Sequence, residues 1–151
     1  VAIVDFDVHH GNGTQDILAN DDRVLVVSFY QHPFYPYSGE ECHAANMVNV
    51  PVAARSNGKL IREIVETYWI HRLEFFQPEM IFISPGFDGH REDDMGGLCL
   101  GLADYAGITS NIMDVAKRFA KGRIVSCLEG GDNLDALGRS VAAHLRVLID
   151  E

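Results

Sequence analysis

Asp5, Asp7 and His9 alternate with apolar residues in Val4-Asp5-Phe6-Asp7-Val8-His9-His10-Gly11. Side chains two apart on an extended chain point the same way, so this spacing gathers two carboxylates and an imidazole on one side. These are donors that hold a divalent cation. A second acid follows the apolar run Met80-Ile81-Phe82-Ile83-Ser84, in Pro85-Gly86-Phe87-Asp88-Gly89-His90. If the two runs are neighbouring parallel strands, Asp7, His9 and Asp88 meet at one rim. Two carboxylates and one neutral imidazole cancel the charge of Zn²⁺ and leave a coordination position for water, as a catalytic zinc requires. Uncompensated, Asp-x-Asp-x-His-His at the end of a buried strand would be costly. The remaining histidines His32, His43, His71 and His144 are expected to be structural, and Arg91-Glu92-Asp93-Asp94 to be a solvated loop.

The elements that must position this set follow from periodicity. Short apolar runs alternate with longer stretches of helical period, which predicts an α/β fold with a largely parallel sheet and flanking helices. Strands are expected at Val1–Asp5, Arg23–Phe29, Met80–Ser84 and Arg123–Leu128. One helical stripe runs through Leu60, Ile61, Ile64, Val65, Tyr68, Trp69 and Leu73, a second through Leu102, Tyr105, Ile108, Ile112, Val115 and Phe119. Leu134, Leu137, Val141, Leu145 and Leu148 make a third. Ligands of such sheets gather at the carboxyl ends of the strands, where Gly11 and Gly13 let the chain turn. The stretch from Gln31 to Gly58, with three prolines and the Phe34-Tyr35-Pro36-Tyr37 cluster, reads as a long connection of the kind that is usually functional.

The chain has 151 residues, enough for one domain, with 47% hydrophobic residues to build one core. Its net charge of −10 supplies no positive field for nucleic acid or anionic lipid. No apolar run approaches the ~20 residues that cross a bilayer. Cys42, Cys99 and Cys127 are widely spaced and form no C-x-x-C, which suggests a reducing compartment and no disulfide framework. With no signal-peptide pattern, the cytoplasm is the expected location, or the nucleus in a eukaryote. The opening strand has neither an initiator Met nor a preceding helix to cover it, so residues 1–151 are expected to be a single segment from the later part of a longer domain, incomplete at the N-terminus. An incomplete sheet with an open edge would favour a homo-oligomer.

DFDVHHGNGTQ, SFYQHPFYPYSGE, NVPV, ISPGFDGHREDDMGGL and LEGGDNLDALGRSV, in that order, resemble the zinc-dependent histone deacetylase family, and Asn12-Gly13-Thr14-Gln15 is similar to its class II and bacterial members. The resemblance implies an arginase/deacetylase-like fold and hydrolysis of acyl groups from lysine, a polyamine or another small amide. It implies zinc on Asp7, His9 and Asp88, and a structural potassium ion on Asp5, Asp7, His9, Ser28 and Phe29, partly through backbone carbonyls. A second potassium ion would lie near Leu18, Asp21 and Val24. Tyr35, Met95, Gly130 and Gly131 would line the substrate channel, with His10 and Asn12 supporting the ligands from behind.

Two departures follow from the same match. His9-His10 is not the tandem His pair that serves the family as general base and acid, so the isolated segment is expected to be weakly active or inactive. At Gly130-Gly131-Asp132 the family has Tyr, or His in some class II members, to donate to the oxyanion. An ionised Asp132 is acceptor-only, and losing one such donor typically costs ~10²–10³ in rate. Asp132 also suits the N-cap of the helix carrying Asp135. A non-catalytic metal-binding or interaction module derived from this fold is therefore the rival reading. A two-manganese ureohydrolase is a third, disfavoured by the His-His-Gly-Asn block.

Overall fold

The computed structural model describes residues 1–150. Its centre is β1 (Ala2–Asp5), followed by α1 (Asn12–Leu18), β2 (Leu25–Gln31) and β3 (Met47–Val52). A continuous helical rod follows: α2 (Gly58–Ile64), a π-helical segment (Val65–Ile70) and α3 (His71–Phe76). The chain finishes with β4 (Ile81–Ser84), α4 (Leu102–Phe119), β5 (Ile124–Ser126) and α5 (Leu134–Leu148).

All strand pairs are parallel, in the order β3-β2-β1-β4-β5. The chain moves outward from β1 through β2 to β3, then returns to the other side of β1. That reversal leaves a crevice at the carboxyl ends of β1 and β4, the switch point where open α/β sheets bind ligands. Asp5 is in register with Ser28 on one side and Ser84 on the other, so residues 6–9 and 85–88 leave the sheet side by side.

One sheet face carries the core. Ala2, Val4, Leu25, Val27, Ile81 and Ile83 pack against Ile61, Trp69, Ile108 and Ile112 of the helices. The opposite face carries the register row Met47–Val26–Ile3–Phe82–Val125. Met47 and Val26 are buried and Ile3 is half-buried, but Phe82 and Val125 are 37% and 38% exposed. Parallel sheets are normally covered on both faces, so the Phe82–Val125 end of this row is a partly uncovered apolar surface.

The expected strands form with trimmed ends, and β2 extends through Tyr30 and Gln31. The long connection is corrected: it contains β3, whose alternation ends in Pro51-Val52. Pro51 disguises the strand, but β3 is at the sheet edge, where proline is tolerated. In the first stripe Leu60 and Tyr68 are exposed. The wider i→i+5 turn of the π-helical segment breaks the 3.6-residue period, turning Tyr68 out while Trp69 stays buried. In the third stripe Leu134 and Leu145 are exposed and Ala136, Ser140 and His144 are buried instead.

His144 is structural, as expected, and its hydrogen bonds define its tautomer. Thr109 donates its hydroxyl to the Tyr105 carbonyl, so it must accept from His144 Nδ1–H, at 2.8 Å. Nε2 is then free to accept from Ser126 Oγ, at 2.9 Å. His43 and His71 are exposed, and His32 pairs with Glu40. The three cysteines are free. No helix among the described residues is long and apolar enough to cross a membrane.

Candidate metal centre

The turn after β1 places Asp7 and His9, and the turn after β4 places Asp88. One donor atom from each lies within 4.8 Å of the others. His9 Nδ1 faces both carboxylates, 3.0 Å from Asp7 Oδ1 and 3.1 Å from Asp88 Oδ2. Hydrogen bonds to Asp7 and then Asp88 push the His9 pKa up to about 10. Two carboxylate oxygens facing one ring nitrogen favour a positive charge between these groups, which is what a Zn²⁺ donor set must do.

The backbone shapes the ligands further. Asp88 Oδ1 accepts from the Val8 N–H at 3.1 Å, and Asp7 Oδ1 from the His9 N–H at 2.8 Å. Burial raises the Asp88 pKa above the ordinary carboxylate range. Gly130 runs directly over the pair: a Cβ there would lie 2.2 Å from Asp88 Oδ2 and 2.5 Å from Asp7 Oδ2. A cavity of about 430 Å³ opens beside these residues and includes Asp5, Glu129 and Asp132 in its wall.

Phe34 stacks on the His9 ring at 5.3 Å between centroids, and Tyr35 meets it edge-on at 6.2 Å. The resemblance gives Tyr35 of this aromatic cluster a place in the channel and Phe34 none, yet Phe34 is the ring that stacks on His9. Met95 is exposed, and its backbone N–H is held by Asp93. His10 is buried beside Tyr30; because Gln15 Oε1 can only accept, His10 donates to it through Nε2 at 2.9 Å and accepts from Ser38 Oγ at Nδ1. Asn12 heads α1 and is exposed, and its side chain makes no hydrogen bond to Asp7, His9 or Asp88.

Two loop readings are corrected. Asn133, not Asp132, caps α5, accepting from the Ala136 N–H at 3.0 Å. Asp93 is not solvated: it is only 5% exposed, and its carboxylate accepts from the N–H groups of Met95, Asp132 and Asn133 at 2.9, 2.7 and 2.9 Å. Burial alone would raise its pKa, but these donors hold it below the ordinary range. The charge run looked like a loop exposed on all sides, and nothing in its local pattern identified Asp93 as the acceptor for a segment 39 residues away.

Asp5 is buried, with Oδ1 accepting from the Asp7 N–H at 3.1 Å. Desolvation pushes its pKa up to about 8. Phe29 stacks on Trp69, whose indole N–H donates to the Ser28 carbonyl at 3.4 Å.

The family model "Histone deacetylase domain" matches residues 1–148. Type-2 histone deacetylase 2 of Dictyostelium discoideum is 39% identical over 167 residues, spanning 100% of this chain and 10% of that protein. A probable deacetylase of Archaeoglobus fulgidus is 37% identical, over 89% of this chain and 39% of its own length. Among solved structures, the HDA15 HD domain superposes with a TM-score of 0.91 at 32% identity, covering 99% of this chain and 44% of that one. The histone deacetylase Clr3 gives a TM-score of 0.89, also at 32% identity, over 99% of this chain and 26% of its own. The chain thus spans less than half of each of these relatives.

Proposed function

This chain belongs to the histone deacetylase family, and on that premise we propose that it provides the zinc-binding part of a hydrolase that removes acyl groups from lysine or a similar amine. The observation that carries this reading is His9 Nδ1 held between Asp7 and Asp88. Zinc on these three residues would supply a Lewis acid for the amide carbonyl and an acidified water. Gly130 N–H restrains the Asp7 carboxylate, and Phe34 fixes the His9 ring plane. Tyr35, Met95, Gly130 and Gly131 form the approach for the acylated side chain, whether of a protein lysine, a polyamine or another small amide.

Asp132 lines the cavity wall, and by the sequence resemblance it takes the family's oxyanion-donor position. As a carboxylate it accepts and does not donate, so it gives the developing oxyanion no hydrogen bond. Asp5 with the Ser28 and Phe29 carbonyls is our candidate for a structural potassium ion; a cation there would hold the buried Asp5 ionised. Asp132 is also the observation that favours the second reading, a metal-binding interaction module.

Metal analysis and an acetyl-lysine peptide assay test the proposal. One zinc per chain is expected, with weak or no turnover by the 151 residues alone. Failure to bind zinc, or two manganese ions per chain, would overturn it.

A further inference from the structure

The resemblance puts a second potassium ion near Leu18, Asp21 and Val24, and the structure places something else there. Asn46 lies just before β3, and its side-chain Nδ2 points at all three oxygens: Leu18 O at 2.8 Å, Asp21 O at 3.0 Å and Val24 O at 3.1 Å. The amide orientation follows from its surroundings. Its other atom, Oδ1, accepts from the Asn20 N–H at 2.9 Å, so a flipped amide would set oxygen against three carbonyls and nitrogen against a donor.

An amide NH₂ has two hydrogens for these three acceptors, so at least one hydrogen is shared. Three carbonyl oxygens converging on one electropositive centre is the arrangement that carbonyl cages offer a weakly hydrated monovalent cation. Here the positive end of a side-chain dipole fills it. We propose that Asn46 is a built-in substitute for the second potassium ion, so that this family position binds no cation in this protein.

The substitution also explains a connection in the fold. Leu18 ends α1, Asp21 and Val24 form the turn into β2, and the Asn46 carbonyl accepts from Val26 N–H at 2.9 Å, where β2 begins to pair with β3. A cation held by these three carbonyls would tie the α1–β2 turn to itself. The amide ties that turn to β3 through covalent bonds of the chain. The cage is at the amino ends of β2 and β3, away from Asp7, His9 and Asp88, so the inference does not depend on the proposed hydrolase activity.

The test is diffraction from crystals soaked in thallium(I), a potassium surrogate with strong anomalous scattering, on the full chain and on Asn46→Ala. No thallium is expected among the three carbonyls in the unaltered chain. Asn46→Ala should open the cage and show thallium between Leu18 O, Asp21 O and Val24 O. Its melting temperature should fall in choline chloride and recover in potassium chloride by more than the unaltered chain gains, a comparison that subtracts any response at Asp5. Thallium at the cage of the unaltered chain would overturn the proposal; so would an Asn46→Ala protein with no thallium there. If Asn46→Ala does not fold, Asn46→Asp replaces it: potassium-dependent melting beyond that of the unaltered chain supports the cage, and a potassium response no larger than that of the unaltered chain refutes it. Zinc uptake should be unchanged in each folded variant.

Discussion

The backbone N–H of Gly130 donates to Asp7 Oδ2 at 2.8 Å, joining two positions 123 residues apart. It fixes a carboxylate of the metal set from the far end of the chain, with no side chain in between. Any residue larger than glycine would displace the carboxylates it restrains. Partners of this kind typically change metal affinity by about 10–100-fold. Gly130→Ala should weaken zinc binding by roughly that factor. Competition with a chromophoric chelator measures it; unaltered affinity would show that the glycine is not needed.

At the proposed site zinc would compete with a proton for His9, whose pKa the facing Asp7 and Asp88 carboxylates push up to about 10. Apparent zinc affinity should therefore rise about tenfold per pH unit for each proton released, across neutral pH. Titration calorimetry in buffers of different ionisation enthalpy counts those protons. A pH-independent affinity between pH 6.5 and 8.5 would contradict the His9–carboxylate geometry.

Burial lowers the His144 pKa from 6.5 to about 4. Between these values the unfolded chain binds more protons at this site than the folded one, so stability falls as pH drops from 6.5 to about 4. The full loss is about 3 kcal/mol. Asp5 acts in the opposite sense: its raised folded-state pKa of about 8 makes the metal-free chain lose stability as pH rises toward that value. The difference between the unaltered chain and His144→Gln isolates the histidine. Urea unfolding at pH 4.5 and 6.5 should show the two curves converging at the lower pH, and parallel curves would refute the assignment.

Asp93 accepts three backbone N–H groups from two separate loops. Replacing it with Asn sets an NH₂ group against donors and should cost about 1–3 kcal/mol. Amide hydrogen exchange should accelerate at Met95, Asp132 and Asn133, and also at Gly130, which Asp93 does not touch. Exchange unchanged at Gly130 would confine Asp93 to its own loop.

Asp132→Tyr restores the donor expected of the family. In the natural full-length polypeptide, turnover of an acetylated peptide should rise by about 10²-fold with zinc affinity unchanged. No gain would favour the interaction-module reading.

The central strands and the metal set were legible because their signal is local: alternation in DFDVHH, and an apolar run ending at Asp88. The family resemblance added the order of the blocks. Hidden features depended on partners distant in sequence. Asp93 is buried by Asp132 and Asn133, β3 is permitted its proline by lying at an edge, and His144 is admitted to the core by two hydroxyls. The Asn46 contacts join residues 22 to 28 apart, so no spacing rule displays them. The π-helical segment likewise disturbs periodicity locally: its wide turn puts Tyr68 outside while Trp69 and Leu73 keep their buried places.

The half-covered sheet row has a consequence for handling this molecule. Phe82 of β4 and Val125 of the three-residue edge strand β5 present adjoining, partly exposed apolar side chains, so two copies meeting there can bury both at once. At high concentration, sedimentation of the 151-residue chain should reveal self-association that substituting threonine for either residue diminishes.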